Sequence, residues 1–210
     1  MAETMGHRFA ELAFTDAVRG EQSRDGSRAA YARHDGGEPF NHRLGAEEAG
    51  FIAARDTLFI ATVGETGWPY VQHRGGPPGF IRVADEHTLV IPEARGNRQF
   101  VTIGNLAGND RVALLLIDFA RRRRLKLLAR ARRLTAAADP SLVAGLAVPG
   151  WRARIEAALV MRVEAFDWNC PQHITPRFTA AEVEQATRRL ADRVVQLEAA
   201  LAEAGIAVPA

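Results

Sequence analysis

Three consecutive blocks decide the fold: Leu58-Phe59-Ile60-Ala61-Thr62-Val63, then Gly64-Glu65-Thr66-Gly67, then Trp68-Pro69-Tyr70-Val71-Gln72-His73-Arg74. The first is a short apolar run, the second a glycine-flanked turn, and the third resumes strand character, so together they predict a β-hairpin. The following Gly75-Gly76-Pro77-Pro78-Gly79 excludes regular structure, because proline has no N–H to donate and glycine frees the backbone. Strand character returns over residues 80–83 and 88–91 around an Asp85-Glu86-His87 turn. Residues 112–117 read as a buried strand, residues 125–134 alternate apolar with basic, and residues 159–166 alternate again. The fold class expected is mainly β with peripheral helices (β + α). About six antiparallel strands in short order favour a small barrel, the closure that leaves no exposed sheet edge.

Helical signals surround these strands. Residues 47–54 predict a short helix with Phe51 and Ile52 on its apolar side, and residues 98–106 a second one entered through Gly96-Asn97. Thr179-Ala180-Ala181-Glu182 is a capping box, followed by a stripe of helical period (Val183, Leu190, Val194, Leu197, Leu201) and by Gly205 as a left-handed stop. Residues 1–45 are polar and glycine-punctuated, an arm that needs a partner surface to be ordered. The expected division is an arm over 1–45, a barrel domain over 46–178, and a C-terminal helix over 179–210 packed on the barrel or on a dimer partner.

Composition bounds the function. The chain has 210 residues, 47% hydrophobic and 25% charged, which suits one domain with appendages and excludes wholesale disorder, collagen and a coiled-coil rod. Net charge is only +2, a weak field for a polyanion. Lys126 is the sole lysine, so 26 of the 27 basic side chains are arginine and any cationic anchor would be a planar guanidinium fork. Cys170 is the single cysteine, so an intrachain disulfide is impossible and a reducing compartment is expected. Glu3, His7, Arg8 and Glu11 break up the N-terminal stretch, which therefore does not read as a signal peptide, and no run is long enough to span a bilayer. A soluble, cytoplasmic protein without membrane attachment is expected.

Familiar catalytic signatures are absent: there is no GxGxxG after a strand, no Walker loop, no GxSxG elbow and no HExxH. Cys170 and His173 have a spacing a metal can use, but no second pair completes a site, and no metal is expected. The run Arg121–Arg124 lies between two strands and reads as a solvated turn, a small-anion site or, less well, a nucleic-acid contact. Gly96-Asn97-Arg98-Gln99 follows a strand and opens a helix. Asn97 can cap, Gly96 admits an anion to the backbone, and Arg98 can fork onto phosphate; an ordinary capped helix is the plain alternative. The loop from Trp168 to Phe178 joins aromatic, amide, imidazole and guanidinium groups with two prolines, a composition that suits binding as well as self-packing.

These segments, from Ala61-Thr62-Val63 through Gly67–Phe80, Gly96–Gln99, Gly104-Asn105-Leu106, Asp110-Arg111-Val112 and Trp168–Phe178, resemble the FMN-binding members of the pyridoxamine 5′-phosphate oxidase-like family. The resemblance runs from about Phe51 through Phe178 and is nearer the flavin-nucleotide-binding branch than the true oxidases. It implies a six-stranded antiparallel split β-barrel of FMN-binding type, a homodimer with two FMN sites at the subunit interface, and a small-molecule substrate or electron donor. By matching blocks it implies that Val71, Gln72, His73 and Arg74 lie along the flavin, with His73 or Arg74 as a donor near the ring. Pro92 and Glu93 would end a strand beside the cofactor, and Arg98 and Gln99 would hold its phosphate. Arg124 would reach in from the neighbouring subunit, and Trp168 and His173 would close the site. True oxidases carry an Arg-Lys pair where this chain has Arg98-Gln99, and their substrate-phosphate residues do not map onto residues 135–150. The resemblance thus implies an FMN-dependent oxidoreductase acting on an unknown small molecule rather than pyridoxamine phosphate oxidation. The alternatives are a non-catalytic binding protein for flavin, haem or a deazaflavin, and nucleic-acid binding through Arg121–Arg124.

Overall fold

A computed structural model describes residues 6–206. Residues 1–5 of the arm, Glu3 among them, and residues 207–210 of the C-terminal segment lie outside the described residues. The chain divides into two compact units: residues up to Asp118 with Arg123–Gln172, and Phe119–Arg122 with the residues from His173 onward.

The first unit is built on one antiparallel sheet. Strands β3 (Thr57–Val63) and β4 (Pro69–Gly75) form the expected hairpin. Its turn closes through Gly67 N–H to the Gly64 carbonyl at 2.9 Å, and Gly67 takes φ 82, a conformation that only glycine adopts at no steric cost. Then come β5 (Arg82–Asp85), β6 (Thr88–Ala94), β7 (Arg111–Asp118), β8 (Arg123–Thr135) and β9 (Ile155–Asn169). The order across the sheet is β4-β3-β7-β8-β9-β6-β5, seven strands with β4 and β5 at the edges. The sheet thus has seven strands against about six expected, and the edge strand β5 answers to the strand expected over residues 80–83, shifted two residues later. The sheet fits a split barrel.

Most boundaries fall near the expected ones, and the departures have local causes. Phe80 and Ile81 are buried but precede β5, because the Phe80 N–H turns back to the Pro77 carbonyl at 3.0 Å. Gly76 is required in that turn, since a Cβ there would stand 2.6 Å from the Phe80 ring. Strands β8 and β9 outrun their alternating segments, pairing from Arg124↔Asn169 to Thr135↔Ala157 with a bulge between Leu128 and Ala129.

The core lies on one face of this sheet. Leu58 and Ile60 on β3 meet Leu114 and Leu116 on β7, Leu125 and Leu127 on β8, Leu159 and Met161 on β9, and Leu89 and Ile91 on β6. Each such side chain stabilises the fold by about 1.5–3 kcal/mol on burial. A smaller cluster on the other face joins Val90 and Ala158 to Val143 and Leu146 from the region of a short helix, Pro140–Gly145. Strand β6 is thus buried on both faces.

Helix α1 (Arg8–Ala13), α2 (Asp16–Asp25) and a parallel pairing of β1 (Gly6–His7) with β2 (Pro39–Phe40) order the arm. The arm finds its partner surface in its own chain: the Phe166 N–H bonds the Asn41 carbonyl at 2.8 Å, and the Lys126 ammonium sits 4.7 Å from the Phe9 ring centre. After the short arm helix α3 (Arg28–Tyr31), helix α4 (Ala46–Ala53) covers one end of the core with Phe51 and Ile52.

In the second unit Phe119–Arg122 is a turn that holds the first two residues of the arginine run, with Arg122 at φ 54; Arg123 and Arg124 begin β8 instead of completing the expected turn. The last helix, Ala180–Glu203, starts on the predicted capping box: Thr179 Oγ1 accepts from the Glu182 N–H, and Glu182 Oε2 accepts from the Thr179 N–H. Gly205 stops it at φ 72. No residue of this helix is buried, and Val183, Leu190, Val194 and Leu197 are exposed. No helix among the described residues is long and apolar enough to cross a membrane.

Candidate functional site

Strand β4 is an edge strand, so one side of its backbone is free, while the pleat sends alternate side chains to opposite faces. Tyr70, Gln72 and Arg74 share one face and line a cleft; Val71 and His73 point to the other, with Val71 63% exposed and His73 tilted over Phe59. The four consecutive residues of the sequence expectation are therefore split by the pleat. The cleft's second wall is the end of β6, where Glu93 lines it, and its third is the segment from Arg95 to Ile103. Pro92 is buried and pairs with Ala158 of β9; it lies past Val90, where pairing with β5 stops.

The helix expected over residues 98–106 begins later. Helix α5 runs Val101–Gly108, because Arg98 (φ 61) and Phe100 (φ 55) take the left-handed conformation and cannot belong to a right-handed helix. Asn97 does not cap α5 as expected. Its Oδ1 accepts the Gln99 N–H at 3.2 Å, an Asx turn that folds the loop on itself. Two non-glycine residues held at positive φ cost on the order of 1–3 kcal/mol each, a strain found at ligand-binding loops. The loop delivers Arg98 and Gln99 to the cleft, and the first turn of α5 leaves its N–H groups without intrahelical carbonyls.

Two contacts fix the walls. Thr102, 1% exposed, donates from Oγ1 to Gln72 Oε1 at 2.6 Å and ties α5 to β4. Glu93, also buried, is paired by Arg133 through Nε. The Arg74 guanidinium is the unsettled group: its Nε is buried with no hydrogen-bond partner. Burial pushes its pKa below the usual arginine value, and Glu93 and Tyr70 oppose that shift only in part. Arg74, Arg95 and Arg98 face Glu93 and Glu156 around the cleft, and with Glu93 held by Arg133 the balance is cationic. The space enclosed is about 60 Å³, small enough to suit a phosphate and far too small for a flavin ring.

The remaining candidates lie elsewhere. Arg124 sits in β8 between Ile117 and Asn169, its Nε buried and unpartnered. Trp168 donates from its indole N–H to Glu48 at 2.8 Å, meets Phe51 edge-on, and carries the Arg123 guanidinium 4.2 Å above its ring. These contacts commit Trp168 to α4 rather than to the cleft. His173, at φ 63, belongs to the second unit. Among the described residues no group of three or more His, Cys, Asp or Glu side chains is placed to hold a metal. Tyr70, Arg95, Phe100, Thr102 and Glu156 are among the residues that line the cleft beyond those expected. Period-two alternation from Gln72 and Arg74 points to Tyr70; nothing in the sequence announces the Thr102 contact.

Comparison with known proteins follows the same blocks. A family model described as pyridoxamine 5′-phosphate oxidase matches residues 44–162. No curated protein matches the chain. Similar solved structures include HupZ of Group A Streptococcus, 18% identical over 64% of this chain and 99% of that one, with a TM-score of 0.46. A Clostridium acetobutylicum protein related to general stress protein 26 (pyridoxinephosphate oxidase family) is 16% identical over 65% and 94%, TM-score 0.45. An FMN-binding protein from Syntrophomonas wolfei is 11% identical over 74% and 96%, TM-score 0.42. With more than half of its length matched by the family model, this chain belongs to the pyridoxamine 5′-phosphate oxidase-like family.

Proposed function

We propose that the protein is an FMN-binding flavoprotein, an FMN-dependent oxidoreductase acting on a small molecule as a cytoplasmic homodimer. The observation that carries this reading is the orphaned Arg74 Nε in a cationic, phosphate-sized cleft. A buried donor left without a partner costs about 1–3 kcal/mol, and a phosphate oxygen would satisfy it. Arg74 and Arg98 would hold the phosphate by charge, Gln99 by its amide, and the Gln72–Thr102 pair would keep the walls at a fixed spacing. FMN, when bound, supplies the hydride and electron chemistry.

Such a cleft accepts the phosphate end and leaves the rest of the nucleotide outside it, over the edge strand β4. A second copy of the chain would cover that part, which supports a dimer with the site at the subunit interface. No side chain needs to act as a nucleophile, in keeping with the missing catalytic motifs. The substrate set for pyridoxamine phosphate is not part of this reading.

The absorbance spectrum of the purified full chain, with mass spectrometry of what heat releases, tests the proposal. Flavin bands and a released mass of FMN, bleached by NADH or NADPH and restored by an acceptor, are expected. A deazaflavin or haem spectrum, or a colourless protein that does not take up added FMN, overturns it. Bound FMN that no nicotinamide nucleotide or other donor reduces, and that supports no turnover, reduces the protein to a carrier.

A further inference from the structure

Beside the cleft lies a cavity of about 820 Å³, and Ile103 lines both. Four arginines line it: Arg130, Arg132, Arg133 and Arg162. Two are already engaged. Arg130 pairs with Asp110 at 2.9 Å and Glu164 at 3.3 Å, and Arg133 pairs with Glu93. Arg132 and Arg162 make no hydrogen bond or ion pair among the described residues. Arg162 stands directly opposite Arg130 across the β8–β9 ladder, and Arg132 is two residues further along β8. Like charges in opposed strand positions repel.

The two carboxylates on the rim leave Arg132 and Arg162 uncompensated. Asp110 is taken by Arg130, and Asp85 Oδ1 accepts the His87 N–H at 2.8 Å inside its own turn. Apolar surface adjoins these arginines: Val160 of β9 pairs with Arg132 across the ladder, and Ile103 and Leu106 of α5 also line the cavity. A compensating negative group next to an apolar surface is therefore what the cavity lacks, and its volume falls in the range of small-molecule sites.

We propose that this cavity binds a small organic anion. A carboxylate or phosphate would be held by the Arg132 and Arg162 forks, and an apolar body would pack on Ile103, Leu106 and Val160. The site is separate from the flavin-phosphate cleft and does not depend on the flavin reading.

Calorimetric titration of the full chain with benzoate, phenyl phosphate, benzyl alcohol and inorganic phosphate tests it. Benzoate or phenyl phosphate should bind, and the tighter of the two identifies the head group. Benzyl alcohol and inorganic phosphate should each bind roughly tenfold more weakly or worse. Arg162→Gln and Arg132→Gln should each cost roughly tenfold in affinity for the anion while FMN content stays unchanged. Added salt should weaken anion binding in the unaltered chain, a readout that needs no variant. Equal binding by the arginine variants, equal binding of inorganic phosphate, or no binding of either aromatic anion overturns the proposal. So does sedimentation showing that the glutamine variants dissociate a dimer, which would give these arginines to a contact between copies. Failure of the protein to hold FMN would leave the anion titration interpretable by itself.

Discussion

Replacing Arg74 by methionine should move ligand affinity and apo stability in different directions. In the free protein Arg74 is half-buried, its Nε is shielded from solvent without a partner, and desolvation pushes its pKa down despite Glu93. Glu93 keeps Arg133 when Arg74 is removed, so the change orphans no carboxylate. The methionine keeps an unbranched stem of similar reach and needs no hydrogen bond. The apo denaturation midpoint should therefore stay level or rise, by about 2–4 °C for each kcal/mol relieved in a chain of this size. A charge-assisted hydrogen bond to phosphate contributes about 1.5–3 kcal/mol. Its loss should weaken FMN about 10- to 150-fold, at roughly 1.4 kcal/mol per tenfold. Quenching of FMN fluorescence measures the affinity, and differential scanning fluorimetry of the FMN-free protein measures the stability. An Arg74→Met protein that binds FMN as tightly as the original, or that melts several degrees lower without ligand, would refute the reasoning, since Arg74 would then be a structural cation.

Three further outcomes are expected. Trp168→Phe keeps a ring against Phe51 but orphans the buried Glu48 oxygen, at about 1–3 kcal/mol, and should lower the melting midpoint with FMN affinity unchanged; a loss confined to FMN affinity would instead put Trp168 at the cofactor. Phe100→Gly removes a left-handed penalty of about 1–2 kcal/mol at a half-exposed position, so urea titration should give a higher midpoint unless lost packing of the ring outweighs the strain, in which case a lower midpoint is seen and the strain argument fails. Burial lowers the pKa of His7, against the pull of Asp167 and with help from His34, so the native state takes up a proton less readily than the unfolded chain. Its contribution is complete above the ordinary histidine value of about 6.5 and is lost as pH falls through that value toward the folded one. Thermal midpoints should therefore decline between neutral and mildly acidic pH, and less steeply in His7→Gln; equal slopes would remove His7 as the cause.

The sheet was legible because its signals are local. A glycine turn between two strand runs determines the β3–β4 hairpin, and alternation determines which residues of β8 and β9 face inward. The capping box at Thr179 was equally plain, since its partners are three residues apart. The start of α5 was not legible. Gly96-Asn97 looks like a helix entry, but whether Asn97 bonds to an N–H of a helix or to that of Gln99 depends on the backbone of Arg98 and Phe100, which no propensity foretells. The same holds for Arg74. Its place on β4 could be read, while its missing partner depends on strands β4 and β6, which are distant in the sheet order and both line the cleft. Trp168 stood out as an aromatic in a polar loop, and its partner Glu48, 120 residues earlier, could not be found by spacing.

Pro92 has a consequence for how the molecule keeps apart from others of its kind. It sits in β6 just beyond the last pairing with β5, where the sheet would otherwise present an open row of donors. A proline there pairs with β9 and offers no N–H outward, because the ring occupies its place. A stray strand arriving at that border finds one donor fewer to zip onto. The border is also the rim of the Glu93 cleft. Pro92 thus makes the border next to the cleft a poorer template for an added strand.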